Sequence, residues 1–319
     1  MNPDKNLVMG FATNQSEASV RIFCQSLRQV YSQGECDVTI VTNRHEPYFS
    51  QLARLGIRFE STPNNYSAAT RRTSKLVNRV VLYAFLLLHQ LGLGRLIPEI
   101  AAAYPVLIET WHHPQLARWF AYLRLLTVGR FYRQILLVDV KDVVFQAPFF
   151  PAAPEEAVVL FADANLYGNC YWNDKWYREA YSQRAFAQIA GQQPVCIGTV
   201  LGTQQAILEM LEEFTAVMAR APFGRVEQAI FNHMLHTGGL RARHVTAPNL
   251  TCAVATLASE AAHASVGIMR GTICRNSDQT PIPIVHMYDR WPDTAALCLE
   301  RYAGSGSPQR PSRCDAPGS

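Results

Sequence analysis

ILLVDVKDVVFQAPFF, residues 135 to 150, opens as an apolar strand and then sets Asp139, Lys141 and Asp142 within four residues. Ile135 to Val138 is a continuous β-branched and leucine run, the composition of a strand buried on both faces in a parallel sheet. Charges at the end of such a strand must be paired or used, because an ionised group without a partner is costly in apolar surroundings. In open α/β sheets the carboxyl ends of the strands line the ligand crevice, so these acids stand where a site is expected. The plainer reading is an Asp that closes a strand and begins a turn. It accounts for one acid more easily than for two with a lysine between them.

Working outward, LVMGFA (7–12) and CDVTIVT (36–42) read as buried strands on either side of the amphipathic SEASVRIFCQSLRQVYSQG, whose closing Gly34 is a helix-end signal. This is a strand–helix–strand unit. HEPYFSQLARLG predicts a helix and IRFES a third strand; Thr70 to Tyr104 predicts helix broken at Gly92, Gly94 and Pro98. HPQLARWFAYLRLLTVG (113–129) predicts a helix with Leu116, Trp119, Phe120, Leu123 and Leu126 as its apolar positions, begun by the His112–His113 pair and bracing the strand that follows. Downstream come a strand at AVVLFAD (157–163), one helix over NDKWYREAYSQRAFAQIAG, and the glycine-punctuated strand VCIGTVLGT (195–203). The helices QQAILEMLEEFTAVMAR and GRVEQAIFNHMLHTGG follow, and IPIVHMYDRWP closes the folded part. Residues 1–303 read as one domain and residues 304–319 as a disordered tail of Gly, Ser and Pro.

The chain has 319 residues, and a hydrophobic fraction of 49% excludes extended disorder over most of its length. A net charge of +4 is too weak to mark a nucleic-acid groove, so no nucleic-acid partner is expected, while a small anionic ligand is compatible. The eight cysteines form no CxxC pair and no zinc-finger spacing, which predicts reduced, mostly buried thiols and a cytoplasmic protein. MNPDKNLVMG lacks a basic region followed by a long apolar one, which predicts no signal peptide. The longest apolar run, VVLYAFLLL (80–88), falls short of the ~20 residues of a spanning helix. It predicts a buried helix, with a membrane-surface helix, and hence peripheral contact at the inner face of a membrane, as the lesser alternative.

The order of these pieces resembles the GT-A-fold glycosyltransferases, above all those with an Asp-x-Arg-Asp-Val-x-Phe-Gln version of the Asp-x-Asp motif, which here reads DVKDVVFQ. Ser-Leu-Arg at 26–28, the helix after HP at 113 and 114, CIGTVLGT and IVHMYDR agree in order, so the resemblance spans 6–292. It implies an α/β fold of GT-A-like, Rossmann-like type: a mixed sheet, mostly parallel, flanked by helices. It also implies transfer of a sugar from a nucleotide-diphosphate donor to a glycan, lipid or small-molecule acceptor. The sequence departs from the motif in carrying Lys141 where the second acid usually stands and Asp142 one place later. Residues two apart on a strand share a face, so Asp142 joins Asp139 only if the chain turns there. CIGTVLGT also has Cys196 and Ile197 where a polar residue is expected beside the glycine.

Sugar transfer of this kind needs the leaving diphosphate neutralised, which a divalent ion on oxygen ligands can do. The resemblance makes Asp142 and Asp139 the metal ligands, either of which could instead hold the donor's ribose, and His286 the third; imidazole would favour Mn²⁺ over Mg²⁺. A histidine inside an apolar strand is otherwise a structural one. Lys141 or Arg290 could meet the diphosphate, or simply form ion pairs. Gly198 and Gly202 would let backbone approach the donor, or mark a bulge. Glu227, with Gln228, falls where the resemblance puts an acid near the acceptor or anomeric carbon, making Glu227 and Asp142 the catalytic candidates; a Glu in a first helical turn also suits the helix dipole. His233 and His236 read as a solvated helix face.

The runner-up readings are a nucleotidyltransferase and a non-catalytic protein of glycosyltransferase-like fold. The first usually carries a glycine-rich phosphate loop after its first strand, and MGFATNQSEAS has a single glycine. No GxxxxGKS or GxxxxGKT occurs, which excludes a P-loop enzyme. GxSxG is absent as well.

Overall fold

The computed structural model describes residues 5–66, 72–91, 97–220 and 226–303. The tail expected from residue 304 onward, and the helix breaks expected at Gly92 and Gly94, lie outside the described residues.

β1 (Asn6–Phe11), α1 (Glu17–Val30) and β2 (Cys36–Thr42) form the expected strand–helix–strand unit. α1 begins where the Ser16 side chain accepts from the Ser19 N–H, satisfying one orphan donor of the first turn. Near its end Arg28 donates to the carbonyls of Leu55, Cys36 and Gly56, and Ser26 accepts from the Phe145 N–H. The Ser-Leu-Arg segment thus ties the helix to its neighbours. α2 (Phe49–Ala53) and β3 (Ile57–Ser61) come next, followed by α3 (Arg72–Gln90), α4 (Pro98–Trp111) and α5 (Pro114–Val128). Proline opens α4 and α5, where its missing N–H costs nothing.

β4 (Ile135–Asp139), β5 (Val143–Phe145) and β6 (Val158–Ala162) lead to α6 (Tyr171–Ala180) and α7 (Gln183–Ile189). One helix was expected over this last stretch. It divides because Tyr181 is extended and Ser182 caps a new helix, accepting from the Ala185 N–H. The remaining elements are β7 (Val195–Gly202), α8 (Gln204–Arg220), α9 (Glu227–His236), β8 (His244–Ala247), β9 (Val254–Thr256), α10 (Glu260–Ala264), β10 (Val266–Met269), β11 (Thr272–Arg275), β12 (Ile284–His286) and α11 (Pro292–Cys298).

The main sheet runs β3-β2-β1-β4-β7-β6-β8 and is parallel except for β7, which lies antiparallel to both β4 and β6. Along β1, Leu7 and Met9 enter one core with Trp119 and Tyr122 of α5 and Phe214 of α8, while Val8 enters another with Phe23 and Leu27 of α1. β4 divides likewise, Leu137 to one core and Leu136 and Val138 to the other. A sheet covered on both faces is why these strands read as unbroken apolar runs. A smaller sheet, β5-β12-β9, packs beside it, and β10 pairs with β11.

The run 80–88 corrects its expectation of a buried helix. Leu82 and Leu86 enter the core, but Val80, Tyr83 and Leu87 are exposed.

Candidate active site

β4 ends at Asp139, residues 140–142 bend, and β5 resumes at Val143, which pairs with His286 of β12. The Asp142 carbonyl accepts from the Met287 N–H at 2.7 Å, and Met287 itself adopts left-handed backbone with φ 63°. This is the turn that the spacing of the two acids required, since a straight strand would leave Asp142 on the far face. Asp139, Asp142 and His286 consequently each offer a ligand atom within 4.8 Å of the others. His286 Nε2 lies 3.5 Å from Asp142 Oδ1 and 3.7 Å from Asp139 Oδ2.

Asp142 Oδ1 and His286 Nε2 are both buried and have no hydrogen-bond partner. Buried polar atoms are rarely left so, and a shared cation would satisfy both. Carboxylate oxygens with one imidazole nitrogen suit Mn²⁺ or Mg²⁺, so the residues fit such an ion. Gly198 of β7 leaves the room they need: a Cβ there would stand 2.4 Å from His286 Cε1 and 2.7 Å from Asp139 Oδ2.

Arg118 of α5 completes the cluster. Its buried guanidinium donates to Asp139 Oδ1 and lies 3.4 Å from Glu227 Oε1 at the start of α9. One cation is shared by two acids, with unequal results. Burial alone would raise the Asp139 carboxyl, but Arg118 and His286 hold it below its ordinary value. Burial pushes Glu227 up to about 7, the pull of Arg118 opposing and the charge of Asp139 adding. Burial would lower His286, yet Cys196, whose Sγ is 3.7 Å from Nδ1, and the carboxylates of Asp142 and Asp139 hold it well above its usual range. A divalent ion at these atoms would displace that proton.

The other residues singled out in the sequence lie at varying distance from this centre. Lys141 is exposed and 3.3 Å from Asp289, whose carboxyl is raised by burial and by Asp142. Arg290 is exposed and donates to the Ala258 carbonyl at 3.4 Å. Gly202 sits at the opposite end of β7 from Val195, where a Cβ would meet the Ala157 carbonyl at 3.0 Å. Gln228 is buried; it accepts from Ile197 N–H and donates to the Val195 carbonyl and to Asn173. His233 and His236 correct the expectation of a solvated face: both are half-buried, His233 hydrogen-bonded to the Tyr177 hydroxyl at 2.6 Å and stacked on Tyr181. Packing against α6 takes that face from water.

Two acidic-site partners were not singled out in the sequence. Arg118 carried a signal, being a charge placed one helical turn before Tyr122 in an otherwise apolar helix face, where a partner is obligatory. Asp163 closes β6 as Asp139 closes β4, and both strands oppose β7, so the two acids lie at one edge of the sheet. Asn173 donates to Asp163, whose carboxyl is raised by burial. At the carboxyl ends of β1 and β2, Thr13 Oγ1 and Asn43 Oδ1 are also buried without partners.

The mixed, mostly parallel sheet flanked by helices matches the GT-A glycosyltransferase fold. Two solved structures of the galactosyltransferase LgtC share it. One, in complex with donor and acceptor sugar analogues, has a TM-score of 0.51 at 13% identity, covering 95% of this chain and 98% of that one. The other, an active-site mutant, has a TM-score of 0.51 at 12% identity, covering 92% and 93%. No protein-family model and no curated protein matches the chain.

Proposed function

We propose that the protein is a metal-dependent glycosyltransferase that moves a sugar from a nucleotide-diphosphate donor to an acceptor, and the observation that carries this is the convergence of Asp139, Asp142 and His286 at the strand ends of a GT-A fold. These three residues would hold Mn²⁺ or Mg²⁺. When bound, such an ion neutralises the leaving diphosphate. Thr13 Oγ1 and Asn43 Oδ1, two atoms without partners, lie beyond the carboxyl ends of parallel strands, the position at which such sheets take nucleotides, and we assign them to the donor's nucleoside. Lys141 and Arg290 flank the metal turn as cations for the diphosphate. Gly198 keeps that approach open.

Glu227 is assigned the acid–base role on the acceptor side, because a carboxyl titrating near neutrality can take or hold a proton at working pH. Arg118 is a positioning residue, holding Asp139 and Glu227 in one arrangement.

The test is release of nucleoside diphosphate from UDP- and GDP-linked sugars with Mn²⁺, beginning with UDP-galactose because LgtC is a galactosyltransferase. Turnover by the unaltered protein, lost in Asp142→Ala and on chelation, is the expected result. Donor binding without turnover across acceptors would favour a binding protein of this fold, and release of sugar 1-phosphate in place of nucleoside diphosphate would favour nucleotidyl transfer.

A further inference from the structure

α3 is apolar on two faces, one packed into the core and one largely exposed. Leu82 and Leu86 pack into the core, with Phe85 beside them. On the other side Leu76, Val77, Val80, Tyr83, Leu87 and Leu91 are 63%, 59%, 60%, 56%, 56% and 67% exposed. Positions 76, 80, 83 and 87 recur at helical spacing, so they form one stripe along the axis. α3 packs on α4, and α4 on α5, which covers the sheet; α3 is therefore the outer layer of this side, and its stripe faces away from the body.

The charge carried by this stretch of sequence has one sign. From Ser61 to Pro98 the sequence holds Arg71, Arg72, Lys75, Arg79 and Arg95 and no Asp or Glu. A second copy docked stripe to stripe would bring two such cationic helices together without an acid on either to pair them. An anionic lipid surface supplies both missing partners: acyl chains for the leucines and phosphate headgroups for the cations.

We propose that α3 docks the protein on an anionic bilayer, its axis in the plane of the headgroups and the Leu76–Leu91 stripe in the acyl boundary. No helix among the described residues is long and apolar enough to cross a membrane, and a one-sided stripe lies on a surface instead. The inference is independent of the transfer reaction.

The experiment is flotation of the full chain with vesicles of phosphatidylcholine alone or with about 30% phosphatidylglycerol. Binding is expected to the anionic vesicles, to fall roughly tenfold or more in Leu76→Ser/Val80→Ser/Leu87→Ser, and to weaken in Lys75→Gln/Arg79→Gln or in about 0.5 M salt. The serine positions are exposed, so the melting temperature should hold, and the charge variant gives a second reading that leaves the stripe intact. Equal flotation of the unaltered and serine-substituted chains, or none with anionic vesicles, would overturn the proposal. So would a dimer in gel filtration that the serine substitutions dissociate, since the stripe would then be covered by a second copy.

Discussion

His286 Nε2 stands 3.5 Å from Asp142 Oδ1, and neither atom has a hydrogen-bond partner of its own. Two strands bring them together: β12 pairs antiparallel to β5 with His286 opposite Val143, the residue after Asp142. Asp142→Ala should abolish Mn²⁺-dependent nucleotide binding in calorimetry while the fold survives, because the side chain is half-buried at a turn and supports no core packing. His286→Ala should weaken Mn²⁺ more than Mg²⁺, since imidazole nitrogen is the better partner for the softer ion. An unchanged preference with a lowered melting temperature would make His286 structural only.

Gly198→Ala tests the room at the centre. The new methyl would lie well inside contact distance of His286 Cε1 and Asp139 Oδ2, and His286 is fully buried with nowhere to retreat. Overpacking of this kind costs about 1–3 kcal/mol. The expected outcome is a folded protein of lowered melting temperature whose Mn²⁺ affinity, read by electron paramagnetic resonance, falls at least about tenfold. Wild-type affinity in this variant would separate Gly198 from the metal.

Arg118→Met removes the cation shared by Asp139 and Glu227 and leaves the half-buried Asp139 and the buried Glu227 without it. Breaking one partner from a buried ion pair costs about 3–5 kcal/mol, which urea unfolding would register. Arg118→Met combined with Glu227→Gln should recover part of that loss, because the neutral amide replaces a buried acid that has lost its ion-pair partner. If the single variant unfolds at the wild-type midpoint, the bridge is energetically idle.

Glu227 carries the pH dependence. Its carboxyl is raised from 4.5 to about 7, so the folded state holds a proton that the unfolded chain releases near 4.5. The contribution is whole below about 4.5 and lost as pH climbs through 7, on the order of 3 kcal/mol across that window. Glu227→Gln should remove this slope from a plot of unfolding free energy against pH. A variant with the wild-type slope would place the titration elsewhere.

Local pattern carried much of the fold. The strands at 7–12, 36–42, 135–139 and 195–203 were legible because each is buried on both faces and so runs unbroken in apolar residues. α8 was readable to its ends, and the break after Tyr181 was not, because Ser182 serves helix and cap alike until the backbone turns. The eight cysteines read as thiols, and those among the described residues are free.

The sequence by itself determined which residues had chemistry to offer: Asp139 and Asp142 at the end of a buried strand, and a histidine within another. Only the tertiary structure decided which of them meet. Asp142 reaches Asp139 because residues 140–142 bend, and His286 joins them through strand pairing between parts of the chain far apart in sequence. Arg118 and Glu227, 109 residues apart, are neighbours only once α5 and α9 close on the same sheet edge. The exposed side of α3 was hidden for the same reason: period alone shows that a helix is apolar on two faces, and packing chooses which one is covered.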